Sequence, residues 1–421
     1  MFRFLNYQDF LKNVSMLASG TALSQVITIL IAPLLTRLFM PEDYGFFAIF
    51  ISIVAILSVL ATCRYEMAII LPRQSKEGEE IYLLSVLIAF SMSIFIFFIV
   101  YFFSENINLM FNFTESAYLI YLIPLFVLFA GIGLSNDFFL NRNKDYSSMS
   151  YLKISQSISI AMATLILGYF SFGVHGLILG NLIGMLIFVT AGLFFSKKFF
   201  HINLLKINFL RLRMLFKENI DFLRYGTPAG IVGVSAYQSF FIFSGIHFGS
   251  YILGLFYLVE RIVGLPSSII GNSFGQVFYQ RVSKIKIVES FTEVRNFLAG
   301  LTVISILIHL SIYLLLYYFL APIFGNEWSE AINFIKYFIL VGSFSFIFAP
   351  LSYLFNYLRI QFANLIWQIV WLISNFIIFI ICIFLEMDIH EFMMLYTVKQ
   401  IVIYSIGIAG ILIYIKMVKI G

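Results

Sequence analysis

The sequence predicts an all-α integral membrane protein of twelve transmembrane helices in two six-helix lobes. Three observations carry the prediction. First, 61% of the 421 residues are hydrophobic and only 11% charged, with a mean hydropathy of +0.99. A soluble domain carries about 25% charged residues, and in lipid only helices or closed barrels satisfy the backbone. Second, runs near or above the ~20 apolar residues a spanning helix needs recur at 14–38, 45–71, 81–103, 117–140, 149–170, 177–195, 226–247, 253–278, 295–320, 331–357, 363–385 and 392–415. Third, the connections alternate in charge. One set, with the termini, holds twenty-one Lys and Arg: Arg3, Lys12, Arg73, Lys76, Arg142, Lys144, Lys153, seven between 196 and 225, Arg281, Lys284, Lys286, Arg295, Arg359, Lys416 and Lys419. The other set holds only Arg37. The positive-inside rule then places both termini in the cytoplasm, as an even number of spans also requires.

Taken in order, the first run is too long for the h-region of a signal peptide and reads as a retained helix. The second, 45–71, would extend about 40 Å as one helix and carries Arg64 and Glu66 inside it. A charge at the bilayer centre costs on the order of 3 kcal/mol or more, so this helix is expected to wall a polar interior. Arg64 and Glu66 stand about 200° apart on such a helix and are expected not to share a partner. The outward connections are short, the longest being 104–115. The largest inward connection, 196–225, mixes Lys197, Lys198, Lys206, Arg211, Arg213, Lys217 and Arg224 with Leu, Ile and Phe. It reads as a basic linker, an amphipathic helix on the inner leaflet, or both. It separates an N-terminal lobe at 1–195 from a C-terminal lobe at 226–421. Phe10-Leu11-Lys12 with Gln25, and Phe222-Leu223-Arg224 with Gln238, form a faint internal match. Six helices per half give both halves the same orientation, a parallel repeat.

The residues able to carry chemistry are the ionisable groups inside spans. Besides Arg64 and Glu66 these are Asp137, Glu260, Arg261, His309, Lys336 and Lys399. Glu260, Arg261 and Lys399 lie near mid-depth, Lys336 is shallow enough to snorkel, and Asp137 sits near a helix end. His309 reads as a satisfied buried imidazole more readily than as a base. Cations outnumber acids here, so positive charge is left for a ligand to neutralise; buried ion pairs locking helices together are the competing explanation. Pro33, Pro124, Pro228, Pro266 and Pro350 fall within spans and are expected to bend them. Pro33, Pro266 and Pro350 are the candidate hinges, Pro266 one turn beyond Glu260 and Arg261. The five histidines show no metal-ligand spacing, and Cys63 and Cys382 lie within apolar runs, so neither a metal, a cofactor nor a disulfide is expected. No phosphate-binding loop, zinc motif or nucleophile elbow is present. Transport by this chain would therefore draw on a proton or sodium gradient, a substrate gradient or a partner.

Pro41-Glu42-Asp43-Tyr44-Gly45-Phe46-Phe47, then Arg64-Tyr65-Glu66-Met67-Ala68 and Leu71-Pro72, resemble the N-terminal pattern of the Wzx-type polysaccharide repeat-unit flippases. These belong to the multidrug/oligosaccharidyl-lipid/polysaccharide exporter superfamily. Gly20-Thr21-Ala22-Leu23-Ser24-Gln25 and Pro33-Leu34-Leu35-Thr36-Arg37 are similar too. The motifs cover roughly the first eighty residues; the remainder matches by helix count. The resemblance implies a V of two lobes around a cationic cavity in a bacterial cytoplasmic membrane. It implies a monomeric transporter rather than an enzyme, which flips undecaprenyl-pyrophosphate-linked oligosaccharide for O-antigen, capsule or exopolysaccharide assembly. Its partners would be the lipid-linked oligosaccharide, membrane lipids, a polysaccharide polymerase and a chain-length regulator, with no nucleic acid. Arg64 takes the cavity-cation role by motif, and Arg261, Lys399 and Lys336 by depth. Glu66, Glu260 and Asp137 are the carboxylates for ion coupling or gating.

Three other functions compete. A cation-coupled drug exporter of the same superfamily needs a cavity richer in acids than in bases. A polysaccharide polymerase or ligase needs a sizeable outer loop for its catalytic groups. A cell-wall precursor flippase of this fold usually has two additional helices.

Overall fold

A computed structural model of the chain describes residues 7–111, 117–200, 209–271, 287–352, 354–358 and 360–420. Of the charge pattern, Arg3, Lys206, Arg281, Lys284, Lys286 and Arg359 lie outside the described residues, as does the far end of the expected span 253–278. Among the described residues every regular element is helical. The long helices are α1 (Tyr7–Leu35), α2 (Pro41–Ala61), α3 (Ser75–Phe111), α4 (Ile123–Arg142), α5 (Tyr146–Tyr169) and α6 (Gly173–Lys197). The short α7 (Phe209–Glu218) follows, then α8 (Thr227–Val263), α9 (Ile287–Phe324), α10 (Ile332–Ser352), α11 (Gln361–Phe384) and α12 (Ile389–Ile420). Among the described residues ten stretches are long and apolar enough to cross a membrane. One of them, Phe222–Val263, is broken within α8 at Gly249, whose φ of +85° is the left-handed region that favours glycine. Dividing it there, and adding the apolar run Ser19–Leu35 of α1, gives each of the twelve expected spans its helix.

By contacts the chain forms two compact units, Met1–Ser250 and Tyr251–Gly421. The six-plus-six division expected at 196–225 concerns topology. Packing puts the first part of α8, 227–248, with the N-terminal unit. In that unit α5 packs between α1 and α6, and α4 packs against α2, α3 and α6. The α5–α6 seam follows from sequence: Gly180 and Gly184 face Thr164 and Ile160 so closely that no Cβ fits at either position. Small residues four apart let membrane helices approach, as lipid provides no hydrophobic drive for their association.

The motif 41–45 proves to be a helix start. Pro41 occupies the first turn, where its missing N–H is no loss. The Asp43 carboxylate accepts the Met40 N–H at 3.0 Å, and Tyr44 is buried. A Cβ on Gly45 would collide with the carbonyl of Ser250. Pro124 likewise sits in the first turn of α4 and does not bend it, which corrects its expected role. Pro33 and Pro350 lie inside α1 and α10, near their C-terminal ends. Pro266 follows the end of α8 and precedes a π-helical turn, Ser267–Gly271.

The second helix departs from expectation most. It stops at Ala61 rather than Leu71, so its 21 residues span about 31 Å. Cys63 (φ +49°) and Arg64 (φ +64°) turn the chain back, and Tyr65–Ile70 forms a 3₁₀ turn. Arg64 and Glu66 therefore lie beyond the end of a spanning helix, not inside one. Hydropathy missed the break because the turn's residues are as apolar as a span: Tyr65, Ala68 and Ile69 are buried against Ile81 and Tyr82 of α3 and Phe139 of α4.

Three other helices stop by one shared device. After α4, α5 and α11, Lys144, Ser171 and Glu386 take positive φ. In each case the next N–H reaches back to the carbonyl five residues earlier: Asp145 to Leu140, Phe172 to Leu167 and Met387 to Cys382. This is the Schellman closure, which satisfies carbonyls that a helix end leaves bare.

The second unit packs α10 and α12 against α9, and α11 against α12. Its core is formed by Phe348, Leu351, Leu354, Tyr404, Ile411 and neighbouring residues. One face of α11 is exposed and wholly apolar, with Ile366, Ile373, Ile377 and Ile380, as a lipid-facing surface requires. The opposite face carries Trp367, Trp371, Asn375, Phe379 and Cys382 at spacings of four, four, four and three. That face meets α12.

Candidate functional site

In the first unit the polar groups gather at the turn after α2. The break brings Arg64 Nη1 to 4.0 Å from Glu66 Oε1; the expected 200° separation assumed one continuous helix, which ends at Ala61. Glu66 is buried and also accepts the Thr62 hydroxyl. The Arg64 guanidinium lies across Gly230, where a Cβ would strike it. Arg142 of α4 closes the turn, donating to the carbonyls of Ile69 at 2.8 Å and Gln74 at 2.7 Å. The Tyr65 hydroxyl donates to the Phe216 carbonyl at 2.8 Å, and the two rings stack at 5.1 Å. Phe216 belongs to α7, the helix within the basic connection. Its Leu212 and Leu215 are buried on the same core, and Arg211 reaches Glu77 and Glu80 of α3, each at 3.4 Å. One face of α7 thus packs on protein, while Phe209, Leu210 and Met214 remain exposed. The arrangement is a structural joint.

Further into this unit the Tyr82 hydroxyl donates to Asn136 Oδ1 at 2.7 Å, and Ser85 and Ser135 share a bond of 2.8 Å. Asp137 is half-buried with one carboxylate oxygen unpartnered among the described residues. Its electrostatic neighbour is Lys153 of α5, whose amine donates to Thr21 of α1 at 3.2 Å.

The second unit holds three of the expected residues, Lys399, Glu260 and Arg261. Lys399 of α12 donates to Asn375 of α11 and lies 4.3 Å from the Tyr396 ring centre. It makes no ion pair among the described residues. Gln400 donates to the Tyr396 hydroxyl. Glu260, near the end of α8, is an electrostatic neighbour of Tyr396 and Tyr404, and Arg261 of Tyr257. The indoles of Trp367 and Trp371 stand 5.2 Å apart, with Tyr404 6.1 Å from Trp371. The Trp367 N–H donates to the Ile403 carbonyl at 3.2 Å. This patch combines an ammonium, a carboxylate, amides and four aromatic rings in one unit.

The remaining expected residues lie elsewhere. Lys336 is exposed in the second turn of α10, 4.9 Å from the Tyr337 ring centre. His309 is buried, with Nδ1 2.9 Å from the Ser305 carbonyl oxygen. Sequence reasoning found the charges by depth and missed Trp367, Trp371, Asn375, Tyr396, Gln400 and Tyr404. The signal was present: Tyr396, Lys399, Gln400 and Tyr404 form a polar stripe at helical spacing on an otherwise apolar helix.

Compared sequence against sequence with curated proteins, the chain has no significant match. Its fold is similar to solved transporters. The lipid II flippase MurJ in an inward closed conformation matches at TM-score 0.73 and 14% identity, over 95% of this chain and 87% of that one. A MATE transporter of Vibrio cholerae matches at 0.60 and 13%, over 97% and 96%. A transporter of the MOP superfamily from Pyrococcus furiosus matches at 0.56 and 14%, again over 97% and 96%. At such identities the likeness is one of fold alone. The family profile described as polysaccharide biosynthesis protein matches residues 34–333, covering the motif at 41–45, the turn after α2 and Glu260 with Arg261, and so the chain belongs to that polysaccharide biosynthesis family.

Proposed function

We propose that the protein is a flippase for lipid-linked oligosaccharide. In this reading it moves undecaprenyl-pyrophosphate-linked repeat units from the inner to the outer leaflet of the bacterial cytoplasmic membrane, with both termini in the cytoplasm. The family supports a role in polysaccharide assembly, and the fold supports transport. The observation that carries the choice of cargo is Lys399. Its amine is held by a neutral amide and an aromatic face, with no carboxylate paired to it among the described residues. A pyrophosphate needs such a fixed cation as it leaves water. Arg261 stands with it in the second unit. Arg64 serves as the cation of the first unit and is the weaker candidate, because Glu66 already engages it. Lys336 is the outermost of the four. Glu260 and Asp137 are the carboxylates for coupling to a proton or sodium gradient. Glu66, braced by Thr62 and Arg64, is less free to exchange an ion.

The test is substitution with a protein-level control in cells lacking the native gene. Arg261→Ala and Lys399→Ala are expected to lower surface glycan at least tenfold and to accumulate its lipid-linked precursor. Lys399→Arg is expected to retain most export. Parental export by both alanine variants at normal protein levels overturns the reading.

A further inference from the structure

Beside Lys399 the second unit holds polar atoms that its own fold leaves incomplete. The indole N–H of Trp371 and Oε1 of Gln400 are buried and unpartnered among the described residues. The first only donates and the second only accepts. Buried polar groups in proteins are otherwise almost always paired. Both atoms lie on the facing sides of α11 and α12, linked through Tyr404, whose ring is 6.1 Å from Trp371 and which follows Gln400 by one helical turn. Around them, the Trp367 and Trp371 rings are only partly covered, and the Lys399 amine stands on Asn375.

The ligand chemistry that completes this set is specific. An alkyl chain covers the rings and leaves both polar atoms bare. A hydrophobic cation covers the rings, is repelled by Lys399 and gives the Trp371 N–H no acceptor. A sugar ring has an apolar C–H face that stacks on an indole, and hydroxyls that accept from Trp371 and donate to Gln400.

We propose that Trp367, Trp371, Gln400 and Tyr404 form a glycan-binding patch that reads the sugar portion of the cargo, next to the cation that holds its pyrophosphate. The proposal rests on the flippase reading above and adds a residue set and a ligand class to it. It makes the unit selective for glycan-loaded carrier over bare carrier.

The chain has three tryptophans, and Trp328 is wholly buried in the turn Asn326–Ala331 before α10. In a Trp328→Phe background, indole emission therefore reports on Trp367 and Trp371 alone. The full chain in lipid nanodiscs is titrated with three probes. These are undecaprenyl pyrophosphate, the lipid-linked glycan extracted from the producing cells, and the oligosaccharide released from that lipid by mild acid. The loaded lipid is expected to bind at least tenfold more tightly than the bare carrier. Both the loaded lipid and the released oligosaccharide are expected to shift the emission. Trp371→Phe keeps a ring and removes the N–H; Gln400→Leu removes the acceptor. Each is expected to cut the preference for loaded lipid at least fivefold while bare-carrier binding stays within twofold, which also shows that the variant is folded. Equal binding of loaded and bare carrier, or full preference in both variants, overturns the glycan patch and leaves the flippase reading standing. Binding of none of the probes overturns both.

Discussion

At the scale of single residues, the motif that stands out in the sequence serves the backbone. Gly45 is where α2 meets the Ser250 carbonyl with no room for a Cβ. Gly45→Ala is expected to cost about 1–3 kcal/mol by overpacking and to lower the melting temperature of the detergent-solubilised protein. Gly410→Ala is the control. Its Cβ meets nothing within 4 Å, and alanine is favoured over glycine in a helix by about 1 kcal/mol, so this variant should melt no lower than the parent. Arg64 is argued in the same way. Truncating it leaves the Glu66 carboxylate buried with the neutral Thr62 hydroxyl as its donor. Breaking a buried pair costs about 3–5 kcal/mol; with Arg64 about a third exposed and 4.0 Å away, roughly 1–2 kcal/mol is expected here. Adding Glu66→Gln to Arg64→Ala should restore part of the lost stability in a double-mutant cycle. Strict additivity of the two melts would show that the pair contributes nothing.

At the scale of elements, the join between α4, α5 and α6 depends on pH. Asp145 precedes α5 and accepts from the Ser148 N–H and the hydroxyls of Ser147 and Ser148. It also pairs with Lys198, just past the end of α6. Burial pushes its carboxyl up, but the bonds from Lys198, Ser148 and Ser147 outweigh this and hold it below its usual value. The folded chain therefore binds this proton less tightly than the unfolded chain does. The stabilisation is present at neutral pH and is lost as pH falls through the carboxylate range. Thermal melts from pH 7 downwards should show Asp145→Asn destabilised at neutral pH and converging on the parent in acid. A constant gap across that range would refute the linkage. The α7 helix makes the complementary point. Its basic and apolar composition suits a membrane surface, yet the structure spends Leu212, Leu215 and Phe216 on the joint at 65–70. Only its other face is left for lipid.

At the scale of the whole molecule, the charge asymmetry of the connections makes a definite prediction. Reporter fusions after Asn108 and after Trp328 should both read as outside. A cytoplasmic signal at either site would refute the topology. The asymmetry needs no tertiary information, because positive-inside orientation depends on which connections carry Lys and Arg.

Hydropathy alone determined the helical class, the membrane setting and the twelve spans, because burial in lipid rewards apolar length whatever the helix packs against. Depth along those spans also singled out Lys399, Glu260 and Arg261 as candidates, because a charge far from either helix end is legible in sequence alone. Tertiary structure decided where α2 ends, since Ala61 to Leu71 is equally apolar as a helix or as a turn. The turn prevails because Arg142 takes its carbonyls, Thr62 meets Glu66 and Tyr65 docks on Phe216. Tertiary structure also decided which charges are already engaged. Arg64 meets a carboxylate only after the chain reverses at Cys63 and Arg64, whereas Lys399 meets an amide and an aromatic ring because the faces of α11 and α12 that come together carry those residues. A partner's identity depends on which faces pack, and the residues of a single helix do not specify that.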